Sequence, residues 1–152
     1  MSEKIKRQEH RGTATIIDIE ILELFGTYTY RLPGDDSARN DLDLIVLYGD
    51  NGSGKSTILK LLFHLLNPEP YNGHRSFVGS IPFRQISIRL SSNCVVKASR
   101  NDPYDLDTYI MSISDPSMES PMEWVWKKDS KSKRESDYFA LCKYLSDQGM
   151  NL

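Results

Sequence analysis

This sequence predicts an α/β protein, and three observations carry the prediction. Leu42 to Tyr48 (LDLIVLY) is a near-continuous apolar run, the pattern of a strand buried on both faces of a parallel sheet. Directly after it, Leu47 to Thr57 (LYGDNGSGKST) gathers three glycines and a lysine into a short loop. Lys55 to Leu66 (KSTILKLLFHLL) then reads as a helix, stopped at Asn67-Pro68 because proline disfavours a helical residue before itself.

The other elements are read from period and punctuation. Thr13 to Leu24 alternates through Ile17, Ile19 and Ile21 and is rich in β-branched residues, which predicts a half-buried strand. Phe25-Gly26 breaks it, and Thr27 to Leu32 (TYTYRL) is placed to pair back as a hairpin. Pro33 to Asp41 collects turn formers and charge, so it reads as a loop. The helix at Lys55 is apolar on nearly every face and is expected inside the domain. Glu69 to Ser80 is loop-like.

Phe83 to Leu90 and Cys94 to Ser99, joined by Ser91-Ser92-Asn93, give a hairpin signal, and Thr108 to Ile113 extends it into a meander. Pro116 to Pro121 is irregular. Ser132 to Glu135 has the Ser-x-x-Glu form of a capping box, after which Tyr138, Leu141, Cys142 and Leu145 recur at helical spacing up to Gly149. The organisation expected is a polar lead-in over 1–12 and one globular unit over 13–152. Within it lie a loop-and-helix lobe (13–66), a β meander (81–114) and a terminal helix (132–148), with no internal repeat.

Composition narrows the setting. The 152 residues, 39% hydrophobic and 26% charged, match an ordinary globular domain. A net charge of -2 gives no general attraction to nucleic acid. Cys94 and Cys142 stand far apart without C-x-x-C spacing, so a reduced, cytoplasmic setting is expected. The lead-in has no apolar signal core, and no run reaches the roughly 18 apolar residues of a membrane span.

Gly49-Asp50-Asn51-Gly52-Ser53-Gly54-Lys55-Ser56 fits G-x-x-x-x-G-K-[ST], the phosphate-binding P-loop. Glycines let the backbone turn tightly with its amides inward, where a Cβ would block both the dihedrals and the approach of a phosphate. The helix opening at Lys55 adds unpaired amides and the positive end of its dipole. Lys55 is the candidate catalytic residue, bridging β- and γ-phosphates. The Ser56 hydroxyl is the candidate Mg²⁺ ligand, and Thr57 reaches the α-phosphate. The plainer reading is a glycine-rich turn with a lysine at the helix start. The flanking strand and helix weigh against it.

The nonamer GDNGSGKST, with ELFGTYTYRL before it and the leucine-rich LIVLYGDNGSGKSTILKLL around it, resembles the opening of ABC-type ATPases of the SMC, RecF and OLD kind. It looks especially like the AAA family ATPases of bacterial defence and repair operons. The resemblance covers Thr13 to Leu66. It implies an ABC-ATPase-like N-terminal lobe with a mixed sheet around the P-loop helix, ATP with Mg²⁺ as ligand, and a second ATPase head or a C-terminal half as partner.

Such enzymes also carry an apolar strand ending in Asp-Glu and a Ser-Gly-Gly signature, and neither occurs in this sequence. The chain is therefore expected to be the N-terminal portion of a longer protein or one half of a split ATPase. A small P-loop kinase is the enzymatic alternative, disfavoured because two strands precede the loop. A nucleotide-binding scaffold is the non-enzymatic one.

Other residues carry two readings each. Tyr28 and Tyr30 lie where the family can place groups near adenine, or they simply pack across the sheet. Arg31 and Arg39 touch phosphate or are solvated. Gln85 lies where the resemblance implies a metal-sensing glutamine beyond the P-loop helix, but it starts a strand without diagnostic neighbours and is left out of the site. His64 reads as structural, since it has no second ligand at i+4. The basic run Lys127 to Arg134 is a DNA-phosphate contact or a solvated helix start. Trp124 and Trp126 share one strand face, in core or interface.

Overall fold

The computed structural model describes residues 14–32, 47–129 and 135–149. Six strands, β1 (Ile16–Leu24), β2 (Tyr28–Leu32), β3 (Gln85–Leu90), β4 (Val95–Ser99), β5 (Thr108–Ser114) and β6 (Met122–Lys127), form one sheet in the order β2-β1-β3-β4-β5-β6. Three helices accompany it: α1 (Lys55–Leu66), α2 (His74–Ser80) and α3 (Glu135–Asp147).

The period-2 alternation sets the register. Ile21 faces Ile86, Ile86 faces Ala98, Ala98 faces Met111 and Met111 faces Trp124 across successive strands. A parallel row runs Ile19, Ile88, Val96, Ile113 and Met122. A slip of one residue would turn each row to solvent, so burial fixes the pairing. These rows, with Ile58, Leu61, Leu62 and Leu65 of α1 and Leu141 and Leu145 of α3, make one core. The opposite face is polar: Glu20 pairs with Arg31 at 2.9 Å and Asp18 with Arg89 at 2.7 Å. Among the described residues no helix is long and apolar enough to cross a membrane.

Several expectations are corrected. Among the described residues every strand pairing is antiparallel, and hairpin and meander are one continuous sheet because β1 pairs directly with β3. Residues 42–46 of the expected parallel strand lie outside the described residues, as do residues 1–13, Arg39 with the loop over 33–41, and the basic run and capping box over 130–134. Leu47 and Tyr48 are not strand, and Tyr48 is exposed. α1 spans the twelve residues expected but is not buried all round: Leu59 and Phe63 are 58% and 44% exposed.

The stretch read as loop holds α2, and a sixth strand, β6, carries both tryptophans inward. Trp124 stacks on Tyr138 of α3 at 4.6 Å, and Trp126 stacks on Tyr109 at 5.3 Å. Trp126 also lies against Gly79, where any Cβ would meet its ring at 2.5 Å. That contact explains a glycine inside a seven-residue helix.

Two buried arginines close the helix ends. Arg75 Nη1 donates to the carbonyls of His64 and Leu65 at 2.8 and 2.9 Å, and its Nη2 to that of Asn67 at 2.9 Å. The Phe63 carbonyl accepts from the Asn67 amide at 3.1 Å, so the end of α1 is almost fully satisfied. Arg100 repeats the device on α2, donating to Gly79 at 2.9 Å while lying 4.3 Å from the Phe83 ring centroid.

His64 does have a partner. Its Nδ1 lies 2.8 Å from Nδ1 of His74, inside a cluster with Phe63 and Phe77. Such a bond needs one nitrogen protonated and the other bare, so the pair cannot be doubly charged and keep it. Burial, then His74, Arg75 and Lys60, hold the His64 pKa below its ordinary 6.5. Glu69 faces the far side of the pair, 3.8 Å from His74 Nε2. Between the lowered folded pKa and 6.5 the unfolded chain binds more protons, so stability rises with pH there. Urea midpoints are expected to be flat above neutrality and to fall as pH drops below 6.5. In His64→Phe that slope is expected to shrink, and an unchanged slope would assign it elsewhere.

Candidate functional site

The loop Gly49 to Thr57 curls at the mouth of α1. A backbone turn bond within it runs from the Ser53 amide to the Asp50 carbonyl at 3.3 Å. Among the described residues no carbonyl accepts from the amides of Gly52, Gly54, Lys55, Ser56 or Thr57. α1 carries no acidic side chain in its first turn, so nothing within the helix neutralises the positive end of its dipole. Asp50, Asn51, Gly52 and Ser56 are exposed, which leaves the outer surface of the loop open.

Gly52 and Gly54 take φ of 88° and 87°, the left-handed region that L side chains rarely adopt. Gly54 is also the N-cap of α1 and rests on the hairpin below: a Cβ there would lie 3.1 Å from Leu24 Cδ2 and 3.3 Å from Phe25 Cε2. Leu24 reaches that place because β1 shifts register between Ile21 and Leu24, with Glu23 at φ 50°, so both side chains turn into the core. Gly52, by contrast, has nothing within 4 Å. Gly52→Ala is expected to cost the backbone term alone, about 1–2 kcal/mol. Gly54→Ala adds crowding against Leu24 and Phe25 and is expected to cost more in urea unfolding. Equal losses would mean that the hairpin yields.

Lys55 reaches back over the loop. Its Nζ donates to the carbonyls of Gly49 and Asp50, each at 2.5 Å, and lies 3.4 Å from Ser53 Oγ. Among the described residues it has no carboxylate partner. A cation held by two exposed backbone carbonyls and a distant hydroxyl, without a carboxylate among the described residues, is available to an incoming anion.

With this geometry goes a likeness in sequence. Residues 44–106 match the family model described as "AAA domain, putative AbiEii toxin, Type IV TA system". The similarity supports an AAA-type P-loop ATPase and, with it, a nucleotide-binding function. No curated protein matches the sequence. The matched stretch contains the whole loop, both α1 and α2, and strands β3 and β4.

The remaining candidates separate from the loop. Arg31 is ion-paired on the open face of the sheet, beside a hollow of about 280 Å³ lined by Asp18, Glu20 and Arg89. Gln85 begins β3, opposite Leu22 of β1 and Ser99 of β4. Tyr28 is exposed and stacks at 6.3 Å on Tyr30. Tyr30 does meet the loop, through a hydrogen bond from its hydroxyl to the Ser53 carbonyl. Sequence alternation placed Tyr30 on a strand face but held no signal for that bond, which joins residues 23 positions apart.

Proposed function

We propose that Gly49 to Thr57 bind the phosphates of ATP with Mg²⁺, as the nucleotide-binding half of an ABC/SMC-type ATPase head. The observation carrying this reading is that the amides of Gly52, Gly54, Lys55, Ser56 and Thr57 have no backbone acceptor among the described residues, at the N-terminus of a helix with no acidic side chain in its first turn. The residues fit the ligand: amides to replace phosphate hydration, Lys55 as the cation, and the exposed Ser56 hydroxyl as the metal ligand. Bound Mg²⁺ would neutralise phosphate charge. Lys55 would give up the Gly49 and Asp50 carbonyls for β- and γ-oxygens, and Thr57 would face the α-phosphate.

Hydrolysis needs a carboxylate for the metal and another for water, and an opposed Ser-Gly-Gly signature. This sequence offers neither the Asp-Glu strand nor the signature, so we assign them to a C-terminal half or a second head. A role in anti-phage defence or DNA repair is what the family resemblance suggests, and the family matched at residues 44–106 is described as a putative toxin of a type IV TA system. We place the protein in the cytoplasm. Titration calorimetry with Mg-ATP tests the site: one nucleotide per chain is expected, and no binding by the wild-type chain would refute the assignment.

A further inference from the structure

We infer that Tyr30 is a positioning residue for the phosphate loop, turning the Ser53–Gly54 peptide so that the Gly54 amide faces the anion. The inference rests on the nucleotide reading of Gly49 to Thr57. Its basis is the bond from the Tyr30 hydroxyl to the Ser53 carbonyl. In a trans peptide the carbonyl and the following N–H lie in one plane and point in opposite directions within it. Holding the Ser53 carbonyl against β2 therefore aims the Gly54 N–H away from the Tyr30 hydroxyl, and that amide, like those of Lys55, Ser56 and Thr57, has no backbone acceptor among the described residues.

The loop needs such a hold. Gly54 has no Cβ, so its φ can change sign at little steric cost and the peptide before it can flip. Flipped, it would present the Ser53 oxygen to a triphosphate, replacing a donor by a partial negative charge. Side-chain caps do not prevent this, because α1 has no side-chain bond at its N-cap.

Tyr30 is well placed to act as a fixed strut. Its residue pairs with Ile21 on β1, and its half-buried ring packs against the core. Leu24 and Phe25 of the same hairpin support Gly54 from beneath. The hairpin thus holds the loop at two points, one apolar and one polar, and the polar one sets direction.

Tyr30→Phe isolates this role, because it keeps the ring and removes only the donor. Its dissociation constant for Mg-ATP is expected to rise about tenfold, the scale of one lost hydrogen bond. The Ser53 carbonyl-carbon and Gly54 amide resonances of the nucleotide-free protein are expected to move, and the Gly54 amide to shift less on adding Mg-ATP. Tyr104→Phe is the control. It removes a comparable hydroxyl bond, 3.2 Å to the Phe25 carbonyl at the hairpin turn, without touching the loop. It is expected to bind within about twofold of wild type.

Wild-type affinity in Tyr30→Phe, alongside lost binding in Lys55→Ala, would overturn the inference and leave the nucleotide reading standing. So would an equal loss in Tyr104→Phe, or unmoved Ser53 and Gly54 resonances. If the wild-type chain binds no Mg-ATP, or Lys55→Ala binds it equally well, the nucleotide reading itself fails and the inference falls with it. All affinities are read well below the melting points of every variant, so that a loss of folding is not scored as a loss of binding.

Discussion

Lys55→Ala is expected to abolish Mg-ATP binding, with affinity falling at least about a hundredfold, or roughly 2.7 kcal/mol. Lys55 is the sole cationic side chain between residues 47 and 57, while Asp50 adds a negative charge. The amides of the loop can orient a triphosphate but leave its charge uncompensated. Charge-assisted bonds contribute about 1.5–3 kcal/mol each, and an ammonium bridging two phosphates makes at least two. Part of that gain is offset, because Lys55 must first release the Gly49 and Asp50 carbonyls at 2.5 Å. Those carbonyls belong to exposed residues and return to water at little cost. For the same reason the variant is expected to melt within a few degrees of wild type, so calorimetry would report on the site and not on folding. Undiminished affinity in a well-folded Lys55→Ala would remove the loop from the function altogether.

The sequence made α1 legible to its end residues, because a glycine-lysine start and an Asn-Pro stop bracket an unmistakable run of leucines. The strands of the meander were legible for a related reason: Ile86, Ile88 and Leu90 alternate, and their partners on β4 alternate in step. What could not be read was structure made by distant residues. α2 has the sequence HRSFVGS, with a glycine and two serines, and no local propensity would select it as helix. It exists because Arg100 closes its end and Trp126 covers Gly79.

The joining of hairpin and meander into one sheet was missed because β1 and β3 are separated by the whole loop-and-helix segment, and an alternating strand does not announce its neighbour. The candidate site divides the same way. Its phosphate loop is a local pattern, whereas its supports, Leu24, Phe25 and Tyr30, are chosen by a register shift in β1 and by a hydroxyl reaching from another element.

The ends of α1 are treated asymmetrically, and this leads to the second large effect. At the N-terminus the amides have no backbone acceptor among the described residues, as an anion site requires. At the C-terminus a buried guanidinium, 4% exposed, takes the carbonyls and complements the negative end of the dipole.

Arg75→Met is expected to destabilise the fold by about 3 kcal/mol. Three bonds to a charged donor contribute about 1.5–3 kcal/mol each in gross terms. Against this, methionine relieves the burial of a cation that has no carboxylate among the described residues and whose Nε has no partner. The balance still favours arginine, because methionine leaves the carbonyls of His64, Leu65 and Asn67 in a dry interior without donors and loses the contact with the Tyr138 ring at 5.7 Å.

At this chain length such a loss lowers the melting temperature by roughly 6–12 °C. Because Arg75 also helps to hold the His64 pKa down, the acid-side fall in stability should be shallower in Arg75→Met than in wild type. Urea unfolding followed by circular dichroism at two pH values measures both effects. A loss below about 1 kcal/mol would mean that water reaches the end of α1 and replaces the guanidinium there.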